Sequence, residues 1–345
     1  MSLGSPGPLF ERPWDDGSGM TMDFSFDAYV TAALFDRSGR AIFALGDGTV
    51  RFEDGTVVEA HPNGGVLSAA VHPSGEGVVT GGDDGRLLWT RASGAEVLAE
   101  VKGRWIEAVA VSPVSNLIAF AAGKEARVVS AADKAFARAF THDKSISGLA
   151  FDPKGLRLAA ATYNGASVWY ARIAEQKPLM LNWAGIHTDV IWSPDGRFLV
   201  SALQDAQLHG WRLADNKDMR MGGYPAKVKS MGFISNGMML ATSGAHGVVL
   251  WPFVGALGPM GKQAAEIAYD EQSMVARIAC AGTTLVGGRE DGRVFALSLN
   301  ANKTTSLRPA GSSPIASVAL SPDGARVAWG DEDGAAGVAD LPALS

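Results

Sequence analysis

An all-β chain of stacked repeats is predicted by three observations: a period of about forty residues, turn chemistry at fixed places within it, and short apolar runs between the turns. Each unit reads apolar strand, Pro/Gly turn, apolar strand, Asp-Gly or Asn-Gly turn, then a strand closing on a large side chain. The clearest copy is 66–71, His72-Pro73-Ser74-Gly75, 78–82, Asp83-Asp84-Gly85 and 86–89, ending on Trp89. The first turn recurs at Gly39, Gly75, Ser115, Gly155, Gly196, Gly237, Gly282 and Gly324. The closing position recurs at Phe52, Trp89, Val129, Trp169, Trp211, Trp251, Ala296 and Val338. The two landmarks advance together and count eight units.

In chain order, residues 21–27 alternate apolar and polar, the pattern of a half-buried or edge-closing strand. Unit one closes on Phe52 after Asp47-Gly48. Unit two is the copy above. Unit three has Ser112-Pro113-Val114-Ser115 where a glycine is expected. Unit four carries Asn164-Gly165 before Trp169, a two-residue hairpin signal. Unit five turns at Ser193-Pro194-Asp195-Gly196, where proline pre-sets φ and glycine takes the left-handed position. Unit six reaches Trp251 after His246-Gly247, and 255–271 after it is the one candidate for a short helix or inserted loop. Unit seven lacks the proline, and unit eight turns at Ser321-Pro322-Asp323-Gly324. Runs such as 106–111, 146–151 and 315–320 are too short for helices and too apolar for one wet face, so they read as innermost strands.

The Asp-Gly or Asn-Gly turn followed by a strand ending in Trp resembles the WD40-repeat β-propeller family, whose blades have four strands. It appears as Asp84-Gly85 to Trp89 and Asn164-Gly165 to Trp169, and in varied form before Phe52, Trp211 and Trp251. The resemblance covers roughly residues 21–340. It implies a single closed propeller of eight four-stranded blades, with seven as the alternative, and the N-terminal strand completing the last blade. Pro342 argues against a further long strand there. Residues 1–19 read as a flexible Gly/Pro-rich segment and 20–345 as the propeller. No repeat tryptophan is followed by Asp, and no Gly-His dipeptide occurs. The His–Ser/Thr–Asp–Trp tetrad that the resemblance implies is expected at best in unit two, from His61, Thr80 (or Ser68), Asp83 (or Asp84) and Trp89, with apolar packing mainly holding the other blades.

Of 345 residues, 47% are hydrophobic and 19% charged, a globular balance. The net charge of −6 and the lack of a Lys/Arg cluster oppose nucleic-acid binding. One cysteine, Cys280, excludes an intrachain disulfide and suits a reducing compartment. The expected location is the cytoplasm, or the periplasm had a leader been removed. No apolar run is long enough to span a membrane.

The six histidines show no metal-ligand spacing, and neither a nucleophile elbow nor a P-loop occurs. His61, His142 and His187 precede inner strands, where hydrogen bonding within the blade is expected, and Cys280 reads as a buried, inert thiol. The expected protein is therefore a non-enzyme without cofactor or metal: a scaffold, monomeric on its own, that binds one or more proteins. A propeller enzyme or small-ligand binder using the central channel, lactonase-like or quinoprotein-like, is the alternative, as is a periplasmic envelope or transport-complex propeller. In WD40-like propellers the loops entering the inner strands and the turns between second and third strands share one face. Candidate partner-binding residues on it are Tyr29, Arg104, Trp105, Lys144, Tyr163, His187, Lys227, His246, Arg277 and Arg289. Arg104-Trp105 is the sharpest pair, because Trp and Arg dominate interface energetics.

Overall fold

The computed structural model describes residues 15–16, 21–300 and 303–341. Most of the expected flexible segment, and Pro342, lie outside them. The described chain is an all-β β-propeller whose strands form seven hydrogen-bonded sheets.

The expectation of eight separate blades is corrected by these sheets. The fourth and fifth repeats share one six-stranded sheet, ordered Ile146–Phe151, Arg157–Tyr170, Leu179–Trp192, Phe198–Leu203, Leu208–Arg212, Lys217–Met221. The cause is local. Leu179–Trp192 runs on without a break where other repeats have a loop. Its first half pairs with Arg157–Tyr170 (Leu181 opposite Ala166) and its second half with Phe198–Leu203 (Val190 opposite Ser201). Asn164 and Gly165 take positive φ, 69° and 136°, as the Asn-Gly signal requires.

The described residues divide into two compact units. One comprises 36–205 and 209–218. In it the first-repeat strands Ala41–Leu45, Thr49–Phe52 and Val57–Glu59 pair in that order. The second-repeat sheet is Val66–Val71, Val78–Gly82, Arg86–Arg91, Gly94–Glu100. The third is Ile106–Ser112, Leu117–Ala122, Glu125–Ser130, Ala137–Thr141. The second strands are buried throughout. The core lies between successive sheets: Val79 and Leu87 meet Ile106, Ile118 and Phe120, and Leu117 and Ala119 meet Leu149, Leu158 and Trp169. Burial on both faces makes these strands costly to truncate, about 3–5 kcal/mol for a buried phenylalanine such as Phe120.

The other unit holds the described parts of 1–35 with 206–208 and 219–345. Its sixth-repeat sheet is Met231–Ile234, Met239–Thr242, Val248–Pro252, Ala265–Ile267. Its seventh is Val275–Ala281, Thr284–Arg289, Val294–Ser298, Lys303–Arg308, with Asp15–Asp16, from the segment expected to be flexible, as a fifth strand parallel to Lys303–Arg308. The last is Ile315–Leu320, Arg326–Asp331, Ala335–Asp340 and the N-terminal strand Thr21–Ser25, which pairs antiparallel with Ala335–Asp340, Met22 opposite Val338. The alternating N-terminal segment thus lies on the outer strand of the last repeat. The candidate helix does not form: 255–261 is a run of bends and turns, and Ala265–Ile267 is the outer strand of the sixth sheet.

Neighbouring inner strands are clipped together by serines. An innermost strand has an unpaired edge whose N–H groups need acceptors. Ser68 Oγ accepts from Val109 N–H at 3.1 Å, and Ser230 Oγ accepts from Ile278 N–H at 2.8 Å. Ser317 Oγ accepts from Ala33 N–H at 2.9 Å, so strand Val30–Phe35 meets the last sheet through the contact that joins consecutive repeats elsewhere. A side chain at Gly330 would run into Val30, which keeps that approach close.

Candidate functional site

In a four-stranded antiparallel sheet, the loop into the first strand and the turn between the second and third lie at the same end. Nearly every candidate residue sits there, and burial divides the candidates. Tyr29, Arg104, Trp105, Lys144 and Tyr163 are exposed, Trp105 by 60% and Tyr163 by 49%. Arg104 lies over the turn at Gly123, where an added Cβ would stand 3.6 Å from its Nη1. Lys144 and Tyr163 line a pocket of about 390 Å³ with Asn164, Met180 and Asn182. Tyr163 stands opposite Ile186, also exposed.

The remaining candidates are buried or half-buried. His187 is fully buried, with Nδ1 on Ser201 Oγ at 2.7 Å and Nε2 on the Trp183 carbonyl at 3.0 Å. Arg289 is fully buried too. It donates to the carbonyls of Ser273 (2.6 Å), Ala268 (2.6 Å) and His246 (3.0 Å) and stacks on Phe295. Burial pulls its guanidinium down to about 10, still protonated at neutral pH. Neither is available to a partner, so both leave the candidate face. Arg277 donates Nε to the Ala316 carbonyl at 2.7 Å, tying the seventh inner strand to the eighth. His246 Nδ1 rests on the Asp270 carbonyl at 3.1 Å. Lys227 is half-buried, and burial first, then Lys229 and Arg277, hold its ammonium below the usual lysine range.

The polar pins of the sheets also differ from expectation. In the second repeat His61 hydrogen-bonds Thr80 Oγ1 and Asp84 Oδ1, both at 2.9 Å. Asp84, not Asp83, is the partner; Asp83 instead accepts from Gly65 N–H at 2.8 Å. Trp89 is outside the set: its indole donates to the Glu76 carbonyl (2.8 Å) while the ring stacks on His72 at 3.9 Å and under Arg91.

Polar pins occur in other sheets as well. In the fourth repeat Trp169 Nε1 donates to His142 Nε2 (3.1 Å) and to Ser167 Oγ (3.0 Å), and His142 Nδ1 meets the Phe140 carbonyl at 3.0 Å. A carbonyl only accepts, so Nδ1 carries the proton and the ring is neutral. Burial accordingly holds His142 below the ordinary histidine value. In the sixth repeat a tyrosine replaces the imidazole: Trp251 Nε1 donates to Tyr224 Oη at 2.7 Å, and Tyr224 Oη pairs with Thr242 Oγ1 at 2.8 Å. In the eighth, Arg308 donates to Asp331 at 3.0 Å. Apolar packing alone therefore does not hold these blades. Tyr224 sits among the loop residues of the sequence, yet its signal is legible: it precedes Thr242 by 18 residues, as His61 precedes Thr80 by 19.

Among the described residues, no cluster able to hold a metal accompanies these pins. Cys280 packs against the backbone of Gly232, and burial pushes its thiol up to about 12. Among the described residues, no helix is long and apolar enough to cross a membrane.

Comparison with known proteins agrees with this geometry. The family described as WD domain, G-beta repeat matches residues 53–89, the second repeat. The periodic tryptophan protein 2 homolog of Dictyostelium discoideum is 27% identical over 164 residues, 44% of this chain but only 18% of that protein. Among solved structures, the computationally designed Ika8 protein superposes with a TM-score of 0.73 over 92% of this chain and 98% of its own, at 19% identity, a likeness of fold alone. Strand order and recurrent turns make the chain a β-propeller, and the matched second repeat and the partly matching relative make it similar to the WD40-repeat family.

Proposed function

We propose that the protein is a non-enzymatic scaffold that binds a partner protein at the loop end of its sheets. The observation that carries this reading is the Arg104–Trp105 pair. An indole 60% exposed, beside an exposed arginine at the mouth of the third inner strand, turns most of its surface to solvent. Trp and Arg in this setting supply most of the energy of an interface. Lys144 and Tyr163 extend the same end into the fourth repeat and border a pocket able to take a partner's side chain. The histidines that a catalyst would draw on are committed elsewhere: His61, His142 and His187 hold sheets together, and His72 is stacked on Trp89. The single cysteine suits a reducing compartment, so the cytoplasm is the location we favour.

The test is capture from the native cell near physiological salt, wild type beside an Arg104→Ala/Trp105→Ala variant. A stoichiometric protein present with wild type and lost from the variant supports the scaffold at this end. Turnover of a small molecule by the purified protein, abolished by one substitution, would refute it.

A further inference from the structure

The opposite end of the sheets, where first-to-second and third-to-fourth connections lie, carries a second surface in the third and fourth repeats. Phe136 lies there beneath two guanidiniums. Arg138 Cζ is 4.7 Å and Arg172 Cζ 5.0 Å from its ring centroid. Neutral groups hold both. Arg138 donates Nε to the Arg172 carbonyl (3.1 Å) and Nη1 to the Ala137 carbonyl (2.7 Å), while Arg172 donates Nη2 to the Ser115 carbonyl (2.9 Å). Among the described residues neither arginine has a carboxylate partner.

Two like charges on one ring repel, so a fold that fixes both without a counter-ion leaves a concentrated positive site. The site does not follow from overall composition, since the chain carries −6. Apolar surface surrounds it. Val114, 73% exposed, and Leu156, 56% exposed, project from the first turns of the third and fourth repeats, and Ile173 from the connection beside Arg172. Phe136 and Arg138 also line a groove of about 450 Å³ between the strand Gly94–Glu100 and the third sheet, with Val97 on its other wall.

We infer that this end is a second docking surface, for an acidic peptide segment of a partner protein that also carries apolar side chains. Its carboxylates pair with Arg138 and Arg172, and an apolar side chain enters the groove. Charge complementarity selects this occupant. A guanidinium already held flat by carbonyls and an aromatic ring presents its remaining N–H groups in the fork that a carboxylate matches, with little ordering left to lose. A basic segment would be repelled, and a purely apolar one would leave both cations unanswered.

The probe is a fluorescein-labelled peptide alternating Glu and Leu, titrated against the full chain by anisotropy, beside the same peptide with Lys for Glu. The acidic peptide is expected to saturate and to weaken as salt is raised to about 0.5 M, where the screening length is a few ångströms. Arg138→Gln/Arg172→Gln is expected to weaken it about tenfold or more, the range of lost charge-assisted hydrogen bonds. Val114→Asp, on a side chain too exposed to matter for folding, should weaken it as well. Arg104→Ala/Trp105→Ala at the other end should leave it unchanged, so this surface and the loop face fail independently. Equal binding of the Lys peptide, undiminished binding by the Gln variant, or no saturation below about 1 mM would each overturn the assignment.

Discussion

The fourth and seventh repeats anchor their entry loops in opposite ways. In the fourth, the loop supplies the anchor: His142, a neutral imidazole, takes hydrogen bonds from Trp169 and Ser167 of the sheet. In the seventh, the sheet supplies it: Arg289 reaches out to the loop carbonyls of Ala268 and Ser273. One pin is neutral and limited by its proton; the other is charged and limited by the cost of burying that charge. What this teaches is that the position is kept by its geometric task, tying an entry loop to the central strands, and that a histidine, tyrosine or arginine can perform it. The tetrad that the resemblance implies is thus dispersed rather than lost.

The largest expected effect is at Arg289. Arg289→Ala strips three buried carbonyls of their donor, and a loss of about 3 kcal/mol or more is expected in urea unfolding, since each unsatisfied buried group costs about 1–3 kcal/mol. Arg289→Lys should recover only part, because an ammonium cannot span acceptors that a planar fork reaches. Equal stability of Arg289→Ala and wild type would end the idea that the seventh pin matters.

Tyr224→Phe is next. It keeps the ring but leaves Trp251 Nε1 without its acceptor, and a loss of about 1–2 kcal/mol is expected. Thr242 Oγ1 keeps a second contact, to the Val249 carbonyl at 3.4 Å, which moderates the effect.

Acid sharpens the contrast between the neutral and the charged pin. Burial holds His142 and His187 below the ordinary 6.5 and His72 down to about 4. Between those depressed values and about 6.5 the unfolded chain binds more protons than the folded one, so stability rises with pH. The contribution is complete above about 6.5 and drains away as pH falls. The urea midpoint should therefore drop between pH 7 and pH 5. His72→Phe, which preserves the stack on Trp89, should flatten the slope, and Arg289→Lys should leave it alone. A slope unchanged in His72→Phe would remove that histidine from the account.

Smallest of all is the stability effect of Arg104→Ala/Trp105→Ala. Both side chains are exposed, so unfolding should shift by no more than about 0.5 kcal/mol while partner capture is lost. A large destabilisation would make Trp105 a packing residue and not a contact.

Much of the fold is legible in the chain. The forty-residue period, the Ser-Pro-Asp-Gly turns and the alternating strand at 21–27 place strands, turns and the last outer strand, because these are local: φ > 0 demands glycine or asparagine, and alternation demands one wet face. Blade separation is less legible. Nothing in the composition of 179–192 announces that the chain stays extended there and joins two repeats in one sheet. The candidate site divides in the same way. Exposure of Trp105 and Tyr163 follows from large side chains at turn positions. The commitment of Arg289 and His187 does not, since a polar residue at a loop end reads alike whether it faces solvent or a ring of carbonyls.

By itself, then, the sequence determined the repeat, its strands and turns, and the end of each sheet at which a residue lies, all of which depend on neighbours within a few positions. Only the tertiary structure decided which polar residues are spent on pins, that Asp84 rather than Asp83 meets His61, and that Arg138 and Arg172 converge on Phe136. Those outcomes join residues up to some forty positions apart, and what selects among equally polar side chains is whether a buried partner lies within hydrogen-bonding reach.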